Sequence, residues 1–315
     1  MSQVTNNRSI LEKADLALGE LTTDGGVLQP AQAQRFIRIL IDKSVVMNMA
    51  TVTPMKAQKQ LIEKIRFGSR ILRAGQEATA LPKADRSKPD LSKVELDAQL
   101  FKAEVRLSDE ILEDSIERDQ LRNTVMQLMS ESIARDMDEV IVQGDTASAD
   151  PFLAQFDGML KAATSNIVLG GTTVISKTHL KNMLKTMPSE FLRNKTSMRY
   201  LTSVDARIDY QDLVADRATM LGDTALESDH APMYSGIPLL DVPLFPENLG
   251  GGTNETNIIL TDPKNINVGV WRRIKIDTDK LVSEGVLLVV ATMRFDFKYQ
   301  EETAVVKTTG IKVSG

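Results

Sequence analysis

Few side chains in this sequence could do chemistry, and most of those are carboxylates. Asp109, Glu110, Glu113, Asp114 and Glu117 follow directly on Ser108. On a helix, Asp109 with Glu113 and Glu110 with Asp114 share faces, the spacing of a paired-carboxylate acid–base site. Carboxylates in a first helical turn also oppose the helix dipole, and a preceding Ser is a common cap. The run therefore reads first as a helix start. There are two histidines, His179 and His230. His179 lies beside Leu180 and Lys181 on a short helical stretch with no second histidine near it, which reads as surface or partial burial. His230 follows Glu227 and Asp229 in "ESDHAPMY". These three could gather a metal or serve a soluble α/β hydrolase, but a solvated loop is the plainer reading. The glycines at 25–26, 170–171 and 250–252 match neither G-x-x-x-x-G-K-[ST] nor G-x-G-x-x-G and read as loop punctuation. Without cysteine there is no disulfide and no thiolate metal site. No catalytic residue, metal or cofactor is assigned.

The elements around these residues are more informative. In "AQLFKAEVRLSDEILEDS" (98–115), Phe101, Ala103, Val105 and Leu107 alternate with charged residues as one face of a strand. Before them Val94, Leu96, Ala98 and Leu100 take even positions, so the apolar face flips at Leu100–Phe101, which predicts a bulge or bend. From Ser108 to Gln143, apolar residues recur at three- and four-residue steps up to Gly144, which predicts one long helix, with a weak stripe near 118–120. The stretch "SVVMNMATVTPM" (44–55) reads as strand. Beyond residue 150 the texture is mixed: helices at 176–188 and 204–217, strands at 197–203, in "GIPLLDVPLFP" and over 257–277, then strands to the end.

Charge is distributed unevenly. Residues 56–93 hold ten basic and four acidic residues, a net +6. The basic set includes Lys64, Arg66, Arg70, Arg73, Lys83, Arg86 and Lys88. With Gly68, Gly75, Pro82 and Pro89 and few apolar residues, this stretch reads as a long hairpin-like excursion that must rest on something else. Residues 108–145 carry a net −8. Opposed patches of this kind aid encounter and register between copies. The whole chain of 315 residues is −5, with 42% hydrophobic and 4% aromatic residues. That composition gives a globular protein and argues against tight nucleic-acid binding or base stacking. No apolar run is long enough to span a membrane, and the start of the sequence lacks the shape of a signal peptide.

Taken in order, these stretches resemble the major capsid proteins of tailed bacteriophages, the Hong Kong 97 type. "AQLFKAEVRLSDEILEDS" is similar to the family's passage from a peripheral strand into its spine helix. "ARDMDEVIVQGDTASADPFLAQFDGML" resembles the end of that helix. "YSGIPLLDVPLFP" looks like an axial-domain strand, "MRFDFKYQEETAVVKTTG" like the C-terminal peripheral strands, and "TDGGVLQPAQAQRFI" like the family's approach to its N-terminal helix.

The resemblance implies an α+β fold with an N-terminal arm and helix (1–45), a peripheral strand (46–55), an extended loop (56–95), a peripheral strand and spine helix (96–154), an axial domain (155–265) and a return to peripheral strands (266–315). It implies no enzyme but a structural protein that self-assembles into hexamers and pentamers of an icosahedral shell. That shell would enclose double-stranded DNA, held without sequence readout. The partners would be other copies, a portal, and separate scaffolding or decoration proteins, with no membrane. The subunit would assemble in the host cytoplasm and reside in the virion. The inter-subunit contacts would join the basic residues of the extended loop to the acidic start of the spine helix. Lys64, Lys83 and Lys88 lie near the place where some members form a Lys–Asn crosslink, but no partner Asn or assisting Glu matches, so no crosslink is expected. An encapsulin-type nanocompartment shell is the alternative within the fold.

Overall fold

The computed structural model describes residues 44–66, 71, 72, 74, 80, 82, 88–108, 121–216, 231–251 and 254–313. The arm, Arg70, Arg73, Lys83, Arg86, the carboxylates from Asp109 to Glu117, and Glu227, Asp229 and His230 lie outside them.

A four-stranded sheet and a six-stranded sheet carry the fold. Described elements open with helix α1 (Val45–Met49) and strand β1 (Thr51–Pro54), so the expectation of strand throughout 46–55 is corrected. Two β-branched residues favour strand at 45–46, but Ser44 overrides them. Its Oγ accepts from Met47 N at 3.0 Å, a helix N-cap. The next strands are β2 (Lys59–Arg66) and β3 (Asp90–Asp97), which among the described residues pair only with each other as an antiparallel ribbon. β4 (Gln99–Ser108) pairs with β11 (Val286–Tyr299), which pairs with β10 (Ile266–Leu281), and β10 with β1. The face flip does exist, but the bend sits at Ala98, where the chain leaves the ribbon for the sheet. Ser108 is the last residue of β4, opposite Val286, and helix α2 is described over Leu121–Gln143.

α2 lies on the sheet face made by β4 and β11. Met129, Ile133, Met137, Val140 and Ile141 are buried against Val289, Ala291, Met293, Phe295 and Phe297. Phe101 stacks on Phe295 at 4.5 Å between centroids, with Phe152 and Phe156 edge-on to Phe101. The four aromatics close the end of the layer where α2 stops. Gly144 lies there because a Cβ would come within 2.5 Å of the Phe156 carbonyl and 2.6 Å of the Val140 carbonyl.

Helix α3 (Met159–Ala162) leads to β5 (Ile167–Val174), helix α4 (Lys177–Thr186), β6 (Arg199–Thr202), helix α5 (Val204–Ala215), β7 (Met233–Tyr234), β8 (Ile237–Asp241) and β9 (Glu255–Thr261). The six-stranded order is β5-β12-β9-β6-β8-β7, where β12 is Val306–Lys312. The expectation that 266–315 returns wholly to the first sheet is therefore corrected, since β12 leaves it and fills the gap between β5 and β9. Residues 170–171 are not loop punctuation either. They sit inside β5 at a bulge, with Gly171 and Thr172 at positive φ, facing a matching break at Gly310 of β12. The second core holds Leu180, Met183, Tyr200, Leu239, Ile258, Leu260 and Ile311.

Candidate assembly surface

The ribbon is rooted in its own chain on one face and open on the other. Residues opposite each other in an antiparallel pair share a face. Gln60 with Leu96, Ile62 with Val94 and Lys64 with Ser92 form the inner face, while Leu61 with Glu95, Glu63 with Lys93 and Ile65 with Leu91 form the outer one. At the root, Met55, Leu96 and Ala98 are buried, with Ile62 and Trp271 packed against them. Gly269 of β10 makes room, since a Cβ there would lie 2.7 Å from Met55 Sδ and 2.8 Å from Leu96 Cδ1. The bend is fixed by Asp296, whose carboxylate accepts from Asp97 N and Phe297 N, both at 2.8 Å. Burial pushes the Asp296 carboxyl up to about 6, against those two hydrogen bonds.

Lys64, read from the sequence as an inter-subunit residue, has a partner at home. Its Nζ lies 3.6 Å from Glu301 Oε2 of the same chain. Lys88 is exposed, and Arg66 is the last residue of β2. The outer face shows a feature that the charge-based reading missed. Ile65 is 71% exposed, Leu91 70% and Leu61 53%. The charges between them are already paired, Lys93 Nζ lying 3.1 Å from Glu63 Oε1. An apolar face with neutralised charges suits burial against another surface, because no ion is stranded when water leaves. The signal was present as alternation in "KQLIEKIR", where Leu61 and Ile65 share a parity that Ile62 does not.

A second buried carboxylate fixes the other end of the described chain. Asp138 of α2 accepts from Ser44 Oγ at 2.6 Å and Val45 N at 2.9 Å, tying α1 to α2. Burial pushes this carboxyl up to about 6 as well. His179 is buried rather than surface-placed. Ser176 N donates to its Nδ1 at 3.1 Å, which leaves the ring proton on Nε2, 3.1 Å from the Gly170 carbonyl oxygen. It closes a capping box at the start of α4 and stitches that helix to the β5 bulge. Both nitrogens serve structure. Among the described residues no group of three or more His, Cys, Asp or Glu is placed to hold a metal, and no helix is long and apolar enough to cross a membrane.

Comparison with known proteins shows the family of the chain. The sequence model described as the phage capsid family matches residues 24–310. The chain belongs to the phage capsid family. This capsid protein is 39% identical over 310 residues to YqbE of Bacillus subtilis (strain 168), named as a prophage capsid protein, covering 97% of this chain and 99% of that one. Its fold matches solved capsids at low identity. One is the satellite phage P4 procapsid including size determination (Sid) protein, with TM-score 0.65 and 12% identity over 100% of this chain and 99% of that one. A native GTA particle capsid computed with C5 symmetry gives TM-score 0.63 and 14% identity over 95% of this chain and 98% of that one. The capsid protein is thus a structural protein with the Hong Kong 97-type α+β fold, and its place is the virion capsid. These findings favour neither the nanocompartment nor the hydrolase.

Proposed function

We propose that this major capsid protein closes into an icosahedral shell of hexamers and pentamers around double-stranded DNA, and that the ribbon's outer face lies on a neighbouring copy. The exposed Ile65–Leu91 pair, set in a face whose charges are already matched, carries this reading. Fully burying side chains of this size contributes about 1.5–3 kcal/mol each. Repeated around a shell, such modest contacts hold every subunit by mass action. The basic residues Lys64, Arg66, Arg70, Arg73, Lys83, Arg86 and Lys88 and the acidic run Asp109, Glu110, Glu113, Asp114 and Glu117 then guide approach and register more than they add affinity. Lys64 contributes least to this, being paired within its own chain. The shell catalyses no reaction and binds no cofactor. Assembly takes place in the host cytoplasm, with a portal and separate scaffolding or decoration proteins as further partners, and DNA meets the inner surface without base readout.

Electron microscopy of the purified protein tests the reading. Wild type should give shells, capsomers or tubes. Ile65→Ser with Leu91→Ser, and separately Arg66→Glu with Arg70→Glu and Arg73→Glu, should give folded subunits that do not assemble. Normal shells from the Ile65/Leu91 variant would refute the apolar docking face, and normal shells from the arginine variant would refute the guiding role of charge.

A further inference from the structure

Among the described residues the chain passes between its two sheets three times, and the three passages are sewn together. The first runs through α3 to residue 166, the second through the Pro263–Asn265 turn, and the third through residues 300–305. Tyr299 Oη donates to the Met159 carbonyl at 3.1 Å and Lys307 Nζ to the Leu160 carbonyl at 2.8 Å. The Glu302 carboxylate accepts from Thr164 N at 2.7 Å and Ser165 N at 2.6 Å, and the Ser165 hydroxyl donates to it as well. Asn166 Nδ2 donates to the Thr303 and Val305 carbonyls at 2.9 and 3.1 Å. The second passage joins through Asn265. Its Oδ1 accepts from Glu301 N at 2.6 Å, its Nδ2 donates to the Glu301 carbonyl at 2.8 Å, and its own carbonyl accepts from Gln300 N at 2.8 Å.

Glu301 is thus pinned by its backbone on both sides. Its side chain reaches the ribbon, where Oε2 meets Lys64, while Oε1 accepts from Thr303 Oγ1 at 2.8 Å. A carboxylate on a free loop would absorb a pull by swinging its backbone. On a backbone clamped by Asn265, the pull passes to Glu302 and so to all three passages. We propose that Glu301 is the coupling point through which the position of the ribbon is transmitted to the junction between the two sheets. Seating or lifting the ribbon then biases how the sheets sit against each other, a conformational link built into the single subunit. It goes beyond the shell reading and does not depend on it.

Amide hydrogen exchange on the unassembled, full-length protein tests the link. Lys64→Met keeps the apolar stem of the side chain and removes the charge. Exchange should rise several-fold in residues 59–66, and also in 300–305 and 164–166, with residues 258–260 of the second core unchanged as the control for folding. Lys64→Gln, the milder change, should move the same segments in the same direction. Swapping the pair, Lys64→Glu with Glu301→Lys, should restore protection in both places. A ribbon that loosens while 300–305 and 164–166 keep wild-type exchange would overturn the coupling, and so would wild-type exchange throughout. Loss of assembly leaves this measurement intact, so the failure of the shell reading and the failure of the coupling are distinguishable.

Discussion

Asp138 predicts how stability depends on pH. It is 5% exposed, and burial raises its carboxyl from the ordinary 3.8 to about 6. The sign follows from linkage. A carboxyl raised in the folded state binds its proton more tightly there than in the unfolded chain. Its stabilisation is therefore full below the unfolded value near 3.8 and is lost as pH rises through about 6. Worked through, the contribution is about 1.4 kcal/mol larger at pH 5 than at pH 7.5, and about 3 kcal/mol over the whole window. Asn at this position keeps one acceptor oxygen and does not titrate. Urea unfolding of the unassembled subunit at pH 5 and pH 7.5 should thus show Asp138→Asn losing about 1.4 kcal/mol of the acid-side gain that wild type enjoys. Subtracting the variant's pH response from that of wild type cancels the contributions of other carboxyls, such as Asp296, which burial also raises, and Glu302, which burial would raise but the Ser165 and Thr164 hydrogen bonds lower. An Asn variant with an unchanged pH response would show instead that Asp138 titrates alike in both states and that its burial does not set the pH dependence.

Other consequences are simpler to measure. Gly144→Ala forces a methyl into the Phe156 and Val140 carbonyls, so thermal unfolding should show a loss of about 2 kcal/mol or more; a neutral outcome would mean that the turn relaxes freely. His179→Ala opens the capping box and strips the Gly170 carbonyl of its Nε2 donor, a cost of about 1–3 kcal/mol, whereas His179→Gln, which can restore the box, should lose clearly less in the same assay.

Much of the fold was legible because its signals are local. The alternation of Phe101, Ala103, Val105 and Leu107 fixes which face of β4 meets α2, and the helices read at 176–188 and 204–217 are α4 and α5. What stayed hidden depends on contacts far apart in sequence. α1 stands where a strand was expected because Asp138, 94 residues from Ser44, supports its cap. The bend falls at Ala98, not at Leu100, because Asp296 holds the Asp97 amide from another strand. β12 reads as a strand from its own residues, but nothing in those residues says which sheet receives it. At the assembly surface, charge drew attention to Lys64, while the pairing register, which sets Ile65 beside Leu91, is a property of two segments separated by the whole ribbon.

The placing of β12 has a consequence for biosynthesis. β5 and β9 have it as their shared neighbour, and it follows every other described strand in the chain. Translation delivers residues one by one at about 5–20 per second. While residue 306 is still unmade, β5 has no strand to bind and β9 has one open flank. A chain cut short before that point lacks the strand that joins β5 to β9, so its second sheet stays divided. The second sheet is therefore complete only once β12 has been made, late in synthesis relative to the strands it joins.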